Sequence, residues 1–234
     1  EYAIGTAAAF VAAEKLGTPN IVIAEAGTGA GKTLGYIAPA SVWAEKNEGP
    51  VWISTFTRNL QRQLESELDR LYPDPVEKSI RAVVRKGREN YLCLLNFEGS
   101  INQGSANEKS GSQNIDLITL GLVARWLHAS KDGDMVGGDF PAWLSDLMGR
   151  RRTIDLTDTR GECVYSACSH YSKCFIEKSV RRAQRARLVV ANHALVLIQS
   201  ILGADDLYRP TRYVFDEGHH LFDAADTTFS SHLT

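Results

Sequence analysis

The sequence predicts an α/β fold, in which a parallel sheet flanked by helices is interrupted by one long, mainly helical insertion. Short apolar runs recur at 21–24, 51–54, 80–84, 187–191 and 212–216, and several lack polar alternation, as expected for strands covered on both faces. Helix-prone segments separate them, including Arg58 to Leu71 and Lys178 to Arg185, and that alternation is the mark of a doubly wound sheet. The third and fourth strands are separated by about a hundred residues, far more than an ordinary connection in such a domain, and all four cysteines fall in or at the edge of that interval.

In chain order, residues 1–17 are Ala-rich and predict a helix. Ile21-Val22-Ile23-Ala24 follows as a buried strand, and Leu34 to Ala40 as part of a helix. Between them runs Glu25-Ala26-Gly27-Thr28-Gly29-Ala30-Gly31-Lys32-Thr33, a glycine-rich turn with Lys-Thr at a helix start. Strand, turn and helix are the context that a phosphate-binding loop requires. Glycines let backbone N–H groups converge on phosphate oxygens, and the helix N-terminus adds the positive end of its dipole. Ala26 to Thr33 would cradle ATP or GTP, Lys32 would reach the β- and γ-phosphates, and the Thr33 hydroxyl would ligate Mg²⁺. Ala26 stands where the pattern G-x-x-x-x-G-K-[ST] has its first Gly.

With 234 residues and 44% hydrophobic content, the chain is long enough for a well-buried core plus a sizeable insertion. Its net charge of −2 is unevenly spread: 150–187 carries ten Lys or Arg against four Asp or Glu. No apolar run is long enough to span a membrane, and no secretory signal precedes the first helix. Starting at Glu1 without Met and stopping soon after an acidic motif, the chain reads as a fragment. Four cysteines in a nucleotide-binding protein favour a metal site or reduced thiols over disulfides.

Within the long interval, Gly99 to Gln113 is rich in Gly, Ser, Asn and Gln and predicts a mobile loop, and Ile115 to His128 predicts an amphipathic helix. Cys163, Cys168 and Cys174 are separated by four and five residues, and Cys93 lies far upstream. Four such thiolates suit either Zn²⁺ or an iron–sulfur cluster, and spacing alone leaves the two nearly level. His170, inside the cysteine group, reads as solvated. Beyond it Lys178, Arg181, Arg182 and Arg185 share one helical face, either a backbone track for single-stranded nucleic acid or a solvated charged face.

Arg212-Tyr213-Val214-Phe215-Asp216-Glu217-Gly218-His219-His220 is an apolar strand ending in two acids. Alone it could be a solvated acidic turn capping a helix. Paired with a phosphate loop, it predicts Mg²⁺ at Asp216 and a water-activating base at Glu217.

Asp-Glu-x-His together with the double histidine resembles the iron–sulfur branch of superfamily 2 helicases, which contains XPD and DinG; Gly218 stands where that family usually has Ala. Ser54-Thr55-Phe56-Thr57-Arg58-Asn59-Leu60 is similar to the family's next block, which implies single-stranded DNA contacts at Thr55, Thr57 and Arg58. Lys86-Gly87-Arg88-Glu89-Asn90-Tyr91-Leu92-Cys93 resembles the start of the family's cluster domain. That resemblance shifts the metal reading to a [4Fe–4S] cluster on Cys93, Cys163, Cys168 and Cys174, with Zn²⁺ as the alternative, and places Arg88 with the basic residues as a DNA contact. His219 would link phosphate state to DNA engagement, and His220 would pack; Ala191-Asn192-His193-Ala194-Leu195 resembles the family's strand-exit block, where Asn192 and His193 would either line the strand-separating route or cap the turn.

The resemblance implies a RecA-like motor domain made of residues 1–85 and 188–234, with the cluster domain inserted at 86–187. It further implies ATP-driven 5′→3′ movement on single-stranded and forked DNA in repair or replication. The enzyme would be a monomer in the cytoplasm, at the nucleoid if bacterial, and would need a second RecA-like domain that this chain lacks. The alternative is a zinc-stabilised nucleotide-dependent switch, or a regulatory ATPase without unwinding activity.

Overall fold

The computed structural model describes residues 1–16, 20–27, 31–106, 111–158, 163–202 and 210–230. The chain divides into two compact units, one made of Glu1–Lys86 and Arg182–Thr234, the other of Gly87–Arg181.

The first unit is built on a four-stranded, all-parallel sheet in the order β2-β3-β1-β4. Its elements before the insertion are α1 (Tyr2–Leu16), α2 (Lys32–Asn47), β1 (Val51–Thr55), α3 (Arg58–Leu71), α4 (Pro75–Arg81) and β2 (Ala82–Val84). After it come β3 (Leu188–Asn192), α10 (His193–Leu202), β4 (Arg212–Phe215) and α11 (Leu221–Phe229). β1 is buried along its whole length because it is flanked by β3 on one side and β4 on the other, with Val51 opposite both Leu188 and Arg212. β2 pairs with the far edge of β3, Ala82 opposite Leu188.

One face of the sheet is covered by α2, whose Tyr36, Ile37, Ala40, Trp43 and Ala44 recur at the three- and four-residue spacing of a single helical stripe. They pack with Phe10, Val51, Ile53, Leu64, Leu68 and Val190. A second cluster joins Trp52, Val83, Val189, Ala191 and Val196 with Ala183 and Ala186, the last two from the end of the basic helix and the turn after it. Thr57 caps α3 by accepting the Leu60 N–H, and Asp74 caps α4 with Pro75 at its first position.

The other unit carries α5 (Leu94–Ala106), α6 (Gly111–Ala129), α7 (Ala142–Met148), α8 (Arg150–Asp155) and most of α9 (Phe175–Arg185). Its core gathers Leu92, Phe97, Val123, Met135, Phe140, Leu144 and Leu156 around Trp126. The Trp126 indole meets Phe140 edge-on with centroids 4.7 Å apart, and its N–H donates to Asp139. No helix among the described residues is long and apolar enough to cross a membrane.

Three expectations need correction. Residues 21–24 do not join the sheet: Ile21 is 85% exposed and Ile23 93% exposed. An apolar run gives a tendency to be buried, but pairing depends on a neighbouring edge. The strand expected at 80–84 is shorter, because Ser79 to Arg81 finish α4, whose cap and Pro75 carry the helix to that point. Finally, Gly99–Ala106 and Gly111–Gln113 are helical rather than loop, while 107–110 lie outside the described residues. Each interior Gly costs a helix about 1 kcal/mol against Ala. Burial of Phe97 in the first turn of α5 offsets that cost.

Candidate nucleotide site

The parallel register of β1 and β4 sets Ser54 opposite Phe215, and the Asp216 N–H donates to the Ser54 carbonyl at 2.8 Å. The acidic turn therefore begins at the carboxyl edge of the sheet, where open α/β sheets bind ligands. α2 begins at the same edge. Gly31 at its N-cap has φ 70° and ψ 30°, a left-handed conformation that disfavours any residue with a β-carbon. Ala26 and Gly27 precede it in irregular structure, and Thr28, Gly29 and Ala30 lie outside the described residues.

Lys32 and Glu217, 185 positions apart by their residue numbers, approach to 3.7 Å between Nζ and Oε1. The second Glu217 oxygen faces His219 Nδ1 at 3.5 Å. Glu217 is itself in the left-handed region, at φ 56° and ψ 47°. For a non-glycine residue that conformation costs on the order of 1–3 kcal/mol and is concentrated at functional sites.

One helical turn after Lys32, Tyr36 is almost fully buried, and its hydroxyl donates to Asp216 Oδ2 at 3.1 Å. Burial, then the Asp216 charge, raise the Tyr36 pKa, while a hydrogen bond with Thr33 acts in the opposite direction. The Thr33 hydroxyl and the Asp216 carboxylate are oxygen donors of the kind that Mg²⁺ takes. Nothing in the motif itself pointed to Tyr36; the available signal was its four-residue spacing from Lys32, which places both on one helical face.

The expected nucleic-acid contacts are placed differently from one another. Thr55 is wholly buried in β1, with its hydroxyl 3.5 Å from the Thr57 carbonyl. Thr57 is exposed at the start of α3, and the Arg58 side chain lies outside the described ones. Between them Phe56, 41% exposed, stacks on the His220 ring at 3.9 Å with planes 13° apart.

Arg88 donates through Nε to Asp158 at 2.6 Å, has Nη1 3.8 Å from Glu177, and lies over the Tyr165 ring. Its guanidinium is thus committed to internal acids. On α9, Ile176 and Ala183 turn inward while Lys178, Arg182 and Arg185 are exposed. The Lys178 ammonium donates to the Lys131 carbonyl, and Arg181 lies over the Tyr171 ring.

Cys93, Cys163, Cys168 and Cys174 are all free thiols, half-buried, in the Gly87–Arg181 unit. Burial raises the Cys93 pKa, while N–H groups of Asn96 and Leu95 lower it; Cys174 is near enough to add to the rise. The Tyr165 N–H donates to Cys163 Sγ at 3.4 Å. Thiols receiving backbone N–H groups have the donor chemistry of metal-bound thiolates. Their positions do not complete a site, since among the described residues no three His, Cys, Asp or Glu side chains gather closely enough to hold a metal. His170, 2.9 Å from Glu98, pairs with a carboxylate.

No protein-family model matches the chain. It is 32% identical to the ATP-dependent DNA helicase YoaA of Haemophilus influenzae, over 97% of this chain and 34% of that protein. It is 31% identical to the ATP-dependent helicase DinG of Mycobacterium tuberculosis, over 100% of this chain and 35% of that protein. A 3′-5′ exonuclease DinG of Bacillus subtilis is 30% identical over 89% of this chain and 21% of that protein. The chain spans about a third of the length of the first two.

Proposed function

We propose that this chain, which belongs to the DinG/YoaA-like helicase family, is the first RecA-like motor domain of an ATP-dependent DNA helicase, with an iron–sulfur domain inserted into it. The observation that carries the reading is the meeting of Lys32 with Glu217, and of Tyr36 with Asp216, at the carboxyl edge of a parallel sheet. The motor domain would comprise 1–85 and 188–234, and the inserted domain 86–187.

In the complete enzyme, ATP would lie between this domain and a second RecA-like domain. Lys32 would leave Glu217 to hold β- and γ-phosphate oxygens. Thr33 and Asp216 would hold Mg²⁺, which when bound neutralises charge on those oxygens. Glu217, released by Lys32, would then accept the proton of the attacking water on a carboxylate oxygen. His219, beside Glu217, would link phosphate state to DNA engagement. An arginine of the second domain would stabilise the charge that develops on the transferred phosphoryl group.

Movement would be 5′→3′ on single-stranded and forked DNA, by a monomer in the cytoplasm or at the nucleoid, in repair or replication. The proposed backbone contacts are Thr55, Thr57, Arg58, Arg88, Lys178, Arg181, Arg182 and Arg185, of which Thr57, Lys178, Arg182 and Arg185 are exposed. The test is strand displacement by the full-length protein, with ATP-dependent unwinding expected from a 5′ overhang and none from a 3′ overhang. Absence of unwinding from both would favour the regulatory ATPase. Residues 1–234 alone should bind nucleotide weakly and hydrolyse it slowly, because the second half of the site is needed; rapid DNA-stimulated turnover by that segment would overturn the split site.

Cys93, Cys163, Cys168 and Cys174 would hold a [4Fe–4S] cluster, which supplies rigidity to the inserted domain. The support is the family resemblance together with the N–H groups directed at Cys93 and Cys163. Iron and acid-labile sulfide in equal amounts, with absorbance near ~400 nm, are expected; zinc without iron would favour the switch. Cys168→Ser should make the inserted domain protease-sensitive and weaken DNA binding while sparing nucleotide binding. Unchanged protease resistance would defeat a structural cluster.

A further inference from the structure

The phosphate loop and acidic turn make no use of a buried pair beside them. His193, the first residue of α10, is 1% exposed, and its Nδ1 lies 2.6 Å from the hydroxyl of Ser54, which is wholly buried in β1. The other ring nitrogen, Nε2, is buried and has no hydrogen-bond partner among the described residues. Burying an unpaired imidazole nitrogen is costly, so such a group calls for a partner.

Candidate partners are close by. Burial holds the His193 pKa below its ordinary value, while the main-chain carbonyls of Glu217 and Asp216 pull it upward. A neutral ring has one N–H. With the Ser54 hydroxyl donating to Nδ1, that hydrogen sits on Nε2 and can be given to a carbonyl. Phe215 and Phe56 flank the ring, with centroids 6.0 Å and 6.2 Å away, and Phe56 is stacked on His220. His193 therefore lies between the acidic turn and the exit of β1, where Thr57 and Arg58 begin α3. Glu217, at the start of that turn, holds a left-handed conformation that costs a non-glycine residue on the order of 1–3 kcal/mol.

We infer that His193 is a positioning residue that couples the acidic turn to the β1 exit, its Nε2–H engaging the Glu217 carbonyl when the turn closes on nucleotide while Nδ1 holds Ser54. Phosphate state is thereby passed to the segment proposed to touch DNA, and DNA acts back on hydrolysis through the same link. The inference rests on the motor reading given above.

The experiment uses the full-length protein carrying His193→Asn or His193→Gln. Asparagine keeps a polar group near the place of Nδ1 and glutamine one near the place of Nε2, so each preserves one half of the link. ATP hydrolysis without DNA, and the melting temperature, should stay within about twofold and a few degrees of the unaltered protein. Stimulation by single-stranded DNA should fall about five- to a hundredfold in both variants, the usual range of coupling between two sites. Undiminished stimulation in either variant would overturn the coupling role. So would an equal fall in basal and stimulated rates with a lowered melting temperature, which marks structural support alone. An unaltered protein whose ATP turnover ignores DNA defeats the motor reading and this inference together, an outcome distinct from variants that retain full stimulation.

Discussion

Replacing Lys32 with alanine is expected to lower ATP hydrolysis by the full-length protein about 10²- to 10³-fold, the usual effect of deleting one preorganised charge from a reacting site. The side chain is 28% exposed and lies 3.7 Å from Glu217, so it is partly shielded and already directed at the carboxyl edge of the sheet. Its worth does not come from that ion pair, which solvent weakens. It would come from exchanging Glu217 for phosphate oxygens that carry more charge. Lys32→Arg should rescue little, because a planar guanidinium cannot replace a compact ammonium in a tight backbone cradle. Phosphate release at saturating DNA and ATP measures the effect. Turnover within about tenfold of the unaltered protein would remove Lys32 from the chemistry.

Glu217→Gln should act differently, lowering kcat about 10²- to 10⁴-fold while leaving ATP affinity intact or tighter. The amide matches the carboxylate in shape but cannot take a proton from water. It also releases Lys32 from its partner at 3.7 Å, and that ammonium is then free for phosphate. Loss of kcat with retained affinity is the pattern of an interaction made only in the transition state. A variant with weakened binding and near-normal kcat would show instead that Glu217 tunes Lys32 and is not the base. The two substitutions are thus expected to separate, the first lowering affinity and rate and the second rate alone.

Three of the sheet's four strands were legible because 51–54, 187–191 and 212–216 are compact apolar runs between turn residues, and β1, β3 and β4 occupy those places. The approach of Lys32 to Glu217 was legible too, since a phosphate loop and an acidic strand end have few other ways to meet on a parallel sheet. The run at 21–24 was misread because its apolarity says nothing about which edge accepts it. The helices over 94–106 and 111–129 were partly hidden, because Gly, Ser and Asn argue for loop while anchoring by Phe97, Val123 and Trp126 is a tertiary effect. Tyr36 and His193 could not be assigned for a related reason. Each matters through a partner far away in sequence, Asp216 for one and Ser54 for the other. Arg88 illustrates the same limit, since a basic motif residue cannot disclose from sequence its pairing with Asp158 and Glu177.

The most direct test of the shared site is a crystal structure of the full-length protein with Mg²⁺ and a non-hydrolysable ATP analogue. The account predicts Lys32 Nζ on β- and γ-phosphate oxygens, Thr33 and Asp216 around the metal, and Glu217 turned from Lys32 toward the attacking water. A nucleotide seated elsewhere, with Lys32 still paired to Glu217, would contradict it.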